Sequence, residues 1–399
     1  MKIRLLFIFY LSILLSFFYT CKKSTNPVAT HGNLALINGT LIDVTGDDPI
    51  ANAAIVIENE LITAVGKLSE FVLPSDAEII DVKGTTILPG FFNAHVHQAY
   101  NEHNLKTWAQ SGVTTVRDLG GNLQNNLFSF RDRVNKNPQC ARLVAAGPMV
   151  TVPNGYPSVP FGGSYSFYVT STEDARQKIN QLLDDGADLI KIALESGVIF
   201  GRTIPMLSPE EAAAIVEVAH QRGTVVSAHV TVSQDLSKAL DAGVDDMAHM
   251  VVDNLPDNLI QRMIADDVYW VPTLELWYGT GAYGTTATNN LRKFVDAGGK
   301  VALGTDYAGY TCPFDLGMPI REIKWMLGAG MTPMQVIVAA TKNAAHVCNL
   351  DAELGTLEVG KKADVLVVNG NPLENIDALM DVRMIIHGGE VIREGKKSR

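Results

Sequence analysis

The spacing of apolar and polar positions changes character twice along this chain. Residues 34–86 read as short strands, "LALINGTLIDV", "AAIVIENELITAVG" and "AEIIDVKGT", punctuated by Gly39, Gly46 and Glu58-Asn59-Glu60 as hairpins require. The C-terminal "KKADVLVVNGNP" and "VRMIIHGGEVI" have the same character. Neither end alone has enough strands for a stable sandwich, so the two are expected to pair into one small β-domain.

Between these ends, apolar runs alternate with helical segments. The expected strands are "TILPGFFNAHVH", "GVTTVRDLG", "ARLVAAGPMV", "ADLIKIAL", "TVVSAHV", "VDDMAHM", "VYWVPTL" and "KVALGTDY". The segments between them include "TEDARQKINQLLDDG" and "SPEEAAAIVEVAHQRG". In the latter, Ser208 is an N-cap, Pro209 opens the first turn, Glu210 and Glu211 face the positive helix end, and Gly223 stops it. This alternation predicts an α/β fold, a closed parallel (β/α)8 barrel, with its chemistry at the carboxyl ends of the strands.

Applied to the strand ends, that rule selects a set of side chains able to bind metal. His95 and His97 follow the first strand, and residues two apart on a strand share a face. Lys191 lies on the fourth strand, His229 ends the fifth, His249 the sixth and Asp306 the eighth. Each follows a short apolar run, where a polar group is costly unless it is paired or bound to metal. Their convergence on one rim predicts ligation. Lys191 fits less simply, because an ammonium has no lone pair to give a cation. Its alternative is an ion pair with Asp306 or Glu195.

Composition narrows the partners. A chain of 399 residues with 47% hydrophobic content can build one large domain and a smaller one. A net charge of −11 argues against nucleic acid or an anionic membrane surface as partner. Residues 1–21, with Lys2, Arg4 and a short apolar run ending at Cys21, resemble a lipoprotein-type export signal. Residues 22–32 form a polar tether. The expected location is therefore the cell envelope, with membrane contact only through a lipid on Cys21. The remaining cysteines, Cys140, Cys312 and Cys348, suggest no disulfide framework.

The segments "ILPGFFNAHVH", "GVTTVRD", "GTDY", "TPMQVIVAATKNAAHVCNL" and "GTLEVGKKADVLVVNGNPL", in this order, resemble the amidohydrolase superfamily. The likeness falls in the branch with imidazolonepropionase-like and prolidase-like carboxypeptidase members. It implies a distorted (β/α)8 TIM barrel at residues 87–350 and a β-sandwich from residues 33–86 and 351–399. It further implies two divalent metal ions, zinc by default. His95, His97 and Asp306 would hold the more buried ion, His229 and His249 the second, with carbamylated Lys191 bridging. By the same resemblance, a metal-activated hydroxide attacks a carbonyl of a small-molecule substrate, and Asp306 carries the proton to the leaving nitrogen. Homo-oligomers are compatible with this reading.

Substrate choice departs from the prolidase-like pattern. Thr231 stands where those members have tyrosine, and Ala248-His249-Met250 replaces Glu-His-Gly. The loop after the third strand carries Tyr156, Phe161, Tyr165, Phe167 and Tyr168, and later loops add Trp277, Tyr278, Tyr307 and Tyr310. These rings either wall an apolar substrate pocket or pack loops onto the barrel. His103, His220, His346 and His387 are given no metal role, although Glu102-His103 is a substrate-contact candidate. The leading function is hydrolysis of a C–N amide bond in a peptide, N-acyl amino acid or cyclic amide. The alternatives are lactone or phosphotriester hydrolysis, a mononuclear imidazolonepropionase- or deaminase-like reaction, and an envelope lipoprotein that merely holds metal.

Overall fold

The computed structural model describes residues 34–395, apart from 124–125 and 309–313, together with the backbone of a short strand at Val28–Ala29. The expected export signal with Cys21, most of the tether, Tyr310 and Cys312 lie outside the described residues. Among the described residues, no helix is long and apolar enough to cross a membrane.

The two chain ends share one hydrogen-bonded sheet. Its N-terminal strands are β1 (Leu34–Leu41), β2 (Ile50–Glu58), β3 (Leu61–Lys67), β4 (Glu78–Asp81) and β5 (Thr85–Pro89). Next come the strands of the alternating region: β6 (Phe91–Val96), β7 (Val113–Asp118), β8 (Arg142–Ala145), β9 (Met149–Thr151), β10 (Ser166–Tyr168), β11 (Ile190–Ala193), β12 (Val226–His229), β13 (Asp246–Ala248) and β14 (Tyr269–Val271). The sheet is then completed by β15 (Val365–Asn369), β16 (Val382–His387) and β17 (Glu390–Glu394). Its order is β17-β16-β15-β5-β1-β2-β3, with β4 paired to β1. The junction is β5 against β15, antiparallel, with Val365 opposite Pro89 and Asn369 opposite Thr85.

Alternation along β15 explains how this sheet serves two cores. Val365 and Val367 join Leu36, Ile55, Met384 and Ile386 inside the sheet's own cluster. Leu366 and Val368, on the opposite face, pack with Ile385 into the large core beneath the parallel strands. The sheet strand runs on to Pro89, past the boundary expected at residue 86. The chain crosses at Gly90, where a Cβ would lie 2.3 Å from the Thr114 hydroxyl. Only glycine fits that crossing.

By pairing, the parallel strands form two sheets, β8-β7-β6 and β10-β9-β11-β12-β13-β14. Two of the expected strands differ from expectation. The third is divided: β8 pairs with β7, whereas Val150 of β9 pairs with Ile192 of β11. The eighth, "KVALGTDY", forms no ladder; isolated bridges Trp270–Val301 and Val96–Tyr307 link β14 to β6 through it. The amides of Ala302 and Ala94 reinforce this link, donating to Trp270 O at 2.9 Å and Leu303 O at 2.8 Å. A Cβ at Gly304 would lie 2.4 Å from Val271 and 2.8 Å from His95. That close approach tightens the segment, and Asp306 then turns out of it at φ 61°.

The helix over Pro209–Gln221 forms as its sequence signals require, with a complete capping box between Ser208 and Glu211 and Gly223 at φ 71° beyond its end.

A buried ion pair ties the sheet to the parallel strands. Arg142 Nη1 lies 2.9 Å from Asp364 Oδ2, and Asp364 Oδ1 accepts from the Gly388 amide. Burial opposes ionisation of Asp364, but Arg142 and then His387 outweigh it and hold the carboxyl well below the usual range. A depressed folded pKa contributes stability above the unfolded value, near ~3.9, that is lost as pH falls toward the folded value. Asp364→Asn is therefore expected to cost about 3 kcal/mol at pH 7 and to flatten the acid side of the stability profile below about pH 4. Urea titrations of both proteins from neutral to acid pH measure this, and equal slopes on the acid side would contradict it.

Candidate active site

The predicted strand-end residues meet at the carboxyl ends of the parallel strands. His95 and His97 both approach Asp306, whose Oδ1 lies 3.1 Å from each Nε2. One ligand atom from each of these three residues lies within 4.8 Å of the others. The His249 ring centroid is 4.8 Å from that of His95, and His229 is 4.6 Å from His249. Lys191 is fully buried, and its Nζ donates to Ser227 Oγ at 3.5 Å. Its charge acts on His95, His97, His229 and His249, so it stands at the centre of the group.

The alternative ion pairs for Lys191 are not seen among the described residues. Glu195 instead accepts from the Thr231 hydroxyl and the Gly197 amide, and its Oε2 lies 3.5 Å from His229 Nε2.

Burial sets the charge state of the site. It pushes His95 down to about 3 and lowers His229 and His249, leaving neutral imidazoles with lone pairs to give. It also brings Lys191 down to about 7. For His97 burial is outweighed by the hydrogen bond and charge of Asp306, which raise it. For Asp306 burial is outweighed mainly by His95, which keeps the carboxylate ionised.

The donor set fits divalent cations. His95 Nδ1 and His229 Nδ1 are buried with no hydrogen-bond partner, His229 Nε2 has only Glu195 at 3.5 Å, and buried Asp306 Oδ1 meets only the two imidazoles at 3.1 Å. Buried polar atoms are nearly always paired, so unpaired or poorly paired donors gathered at one point call for a ligand. Neutral imidazoles and a carboxylate suit zinc and related ions.

The surrounding chain holds these donors in place. Asn93 accepts from the Thr305 amide at 3.1 Å and donates to the Thr305 hydroxyl at 2.9 Å, clamping the turn before Asp306. His249 sits at φ 74°, and its Nδ1 meets Thr273 Oγ1 at 2.9 Å. Thr273 itself has φ 49°. The next two amides, Leu274 and Glu275, donate to the carboxylate of buried Glu322 at 2.9 and 2.6 Å. Left-handed backbone at non-glycine residues is strained, and here it coincides with the turns that carry His249 and Asp306. On the other side, a Cβ at Gly120 would lie 2.8 Å from the His97 ring, so glycine makes room for that histidine.

A cavity of about 280 Å³ opens above the group, lined by His95, His97, His229, His249 and Asp306 at its floor. The aromatic loops divide between the two roles expected of them. Tyr156, Phe161, Tyr165 and Trp277 line the cavity. Tyr278 instead stacks on Trp325, Tyr307 packs edge-on to Trp108, and neither Phe167 nor Tyr168 reaches the cavity.

The histidines set aside stay apart. His220 pairs with Asp245, His346 with Asp351, and His387 Nδ1 meets the Pro138 carbonyl. Glu102-His103 does not line the cavity, because Glu102 is held at the surface by Lys106 and Arg133. Sequence reasoning missed Thr273 and Phe200, and it placed Glu195 against Lys191 rather than against Thr231 and His229. Thr273 was open to the strand-end rule, since it follows the seventh strand directly. Phe200 carries no local signal.

Similarity to known proteins accords with this arrangement. Residues 86–392 match the family model described as the amidohydrolase family. Ochratoxinase from Aspergillus niger is 28% identical over 89% of this chain and 85% of its own length. Imidazolonepropionase from Geobacillus kaustophilus is 25% identical over 87% and 90%. The crystal structure of a Xaa-Pro dipeptidase with methionine bound in its active site superposes with a TM-score of 0.78. It is 26% identical and covers 91% of this chain and 100% of that one. The chain belongs to the amidohydrolase family, a family that implies a (β/α)8 barrel with an extra domain and acts on small molecules, and is a hydrolase acting on C–N bonds. Strand pairing among the described residues closes no continuous barrel, so the closed barrel expected from the sequence is met only in part.

Thr273→Val removes the hydroxyl that orients His249 while keeping the side-chain shape. It is expected to weaken zinc binding by about 10–100-fold with little change in the unfolding midpoint of the metal-free protein. Chelator competition reads the affinity, and unchanged zinc binding would remove Thr273 from its supporting role.

Proposed function

We propose that this protein hydrolyses the amide C–N bond of a small substrate at a site holding two divalent cations, zinc by default. His95, His97 and Asp306 would hold one cation, His229 and His249 the other, and Lys191, as its carbamate, would lie between them. The observation that carries this reading is the gathering of buried imidazoles, several of whose nitrogens lack a hydrogen-bond partner, around the ionised carboxylate of Asp306. The low pKa of Lys191 adds support, because only a neutral amine combines with carbon dioxide. When bound, such cations supply Lewis acidity, polarising a carbonyl and making water a competent nucleophile near neutral pH.

The chain's own residues do the rest. Asp306, held ionised, accepts the proton of the attacking water as the new C–O bond forms. It then returns that proton to the nitrogen as the C–N bond breaks, so the leaving group departs as a neutral amine. Apolar walls above the floor keep bulk water from competing for these groups. We further propose that residues 1–21 direct the enzyme to the cell envelope with Cys21 lipidated; the mass of the mature N-terminal peptide tests this.

Purified protein is expected to contain about two zinc equivalents per chain, and Lys191→Ala to lose at least one of them. Asp306→Asn should lower kcat on an amide substrate by about 10²–10⁴-fold or more. Elemental analysis and a matched panel of amides, lactones and phosphotriesters check these expectations. One equivalent in both proteins would favour the mononuclear reaction, and an esterase-only or phosphotriesterase-only profile would refute the amide reading.

A further inference from the structure

We propose that the substrate of this site is electrically neutral: an amide whose leaving half carries an aromatic or other apolar group and no free α-carboxylate. This deepens the amide-hydrolase reading and rests on it.

The first observation is the charge of the cavity. Among the described residues lining it there is no lysine or arginine; apart from the phenols of Tyr156 and Tyr165, its titratable groups are the floor histidines and Asp306. The undescribed segment 309–313 reads Gly-Tyr-Thr-Cys-Pro and contains no cationic residue either. An amino-acid leaving group presents a carboxylate close to the scissile bond. Taken into this cavity, that carboxylate would lose its water and gain no cationic side chain in exchange. The one locus suited to positive charge is the metal-binding floor, and the scissile carbonyl must sit there.

The polar groups that remain fit a neutral partner. Gln98 offers an uncharged hydrogen-bonding group, whereas the Thr280 hydroxyl donates to the Trp277 carbonyl at 2.9 Å and keeps only acceptor capacity. Trp277 lines the cavity. Thr231 has its hydroxyl committed to Glu195.

The second observation is an aromatic series leading from the floor to the mouth. Tyr156 stacks on His229 with centroids 4.0 Å apart and planes 20° from parallel. Phe200 lies 6.0 Å from Tyr156 at 26°, and Phe161 lies 6.0 Å away edge-on. At the outer end, Phe161 is 52% and Phe200 37% exposed. Large apolar side chains left partly open at the mouth of a cavity are surface that a bound apolar group would cover. An aromatic leaving half has rings to pack against along this whole path.

A matched pair of compounds isolates the charge. N-benzoylphenethylamine and N-benzoylphenylalanine present the same C–N bond and differ by one carboxylate. Their benzenesulfonyl counterparts, which are not cleaved, report binding alone to the zinc-loaded enzyme. The neutral sulfonamide is expected to bind, and the neutral amide to be turned over in kcat/KM, by about tenfold or more over the acid. Phe200→Ala, at a side chain open enough to spare the fold, should weaken the neutral sulfonamide by about fivefold or more by removing an aromatic contact. Thr280→Arg should narrow the gap between the two probes.

Equal or tighter binding of the acid overturns the neutral-substrate inference while leaving amide hydrolysis intact. Preference for the neutral sulfonamide, with esters cleaved and neither amide touched, leaves the cavity's selection of neutral ligands standing and sinks the amide reading. The binding and turnover arms thus fail separately.

Discussion

The ion pair between Arg117 and Asp246 is the constraint on which the site depends. Both side chains are fully buried. Arg117 donates to both carboxylate oxygens of Asp246, at 2.7 and 3.0 Å, and to the carbonyls of Ala94 and Val347. It thereby ties β7 to β13 across the interior and reaches the β6 backbone between His95 and Asn93. Asp246 also accepts from Ser227 Oγ at 2.7 Å, and Ser227 in turn receives Lys191 Nζ. Removing one partner of such a pair leaves an uncompensated buried charge, at a cost of about 3–5 kcal/mol. A satisfied polar network therefore lies directly under the unsatisfied one, and it fixes where Lys191 stands.

The contrast between those two layers says what the site is for. Beneath, the polar atoms of Arg117 and Asp246 are matched by hydrogen bonds. Above, ring nitrogens of His95 and His229 are buried and unmatched, and the Asp306 carboxylate meets only imidazoles. The turns carrying His249 and Asp306 also hold left-handed backbone conformations. Left-handed backbone at these turns costs about 1–3 kcal/mol for each strained residue, and unmatched buried polar groups add to that cost. A bound cation would satisfy the same atoms, so ligand binding and stability are coupled here.

Much of this was legible in the sequence because it follows local rules. His95 and His97 share a face because side chains alternate, and the strand-end rule gathered Lys191, His229, His249 and Asp306 onto the same rim. The pairing of the chain ends was legible from strand count alone. What escaped depends on contacts between segments distant in sequence. The segment carrying Asp306 looks like a strand, but the close approach at Gly304 reduces it to isolated bridges. Glu195 joins the site through Thr231 and His229, and nothing near it in the chain announces those partners. The third strand divides because its halves answer to different neighbours, β7 and β11.

The handling of His229 shows how the chemistry and the selectivity come apart. The resemblance to prolidase-like members implies a tyrosine two residues beyond this histidine; here Thr231 occupies that position and turns its hydroxyl to Glu195. An aromatic ring still reaches His229, but Tyr156 supplies it from the loop after β9 and lays it face-on against the imidazole. A hydroxyl projecting from a strand end is fixed by the ladder, whereas loop rings such as Phe161 and Phe200 can be replaced with less disturbance of the strand ends. On the proposed reading, substrate contacts fall on Tyr156, Phe161 and Phe200, while His95, His97, His249 and Asp306 keep positions set by strand ends and their clamps. Selection among substrates can then vary through those loops while the hydrolytic centre stays as it is.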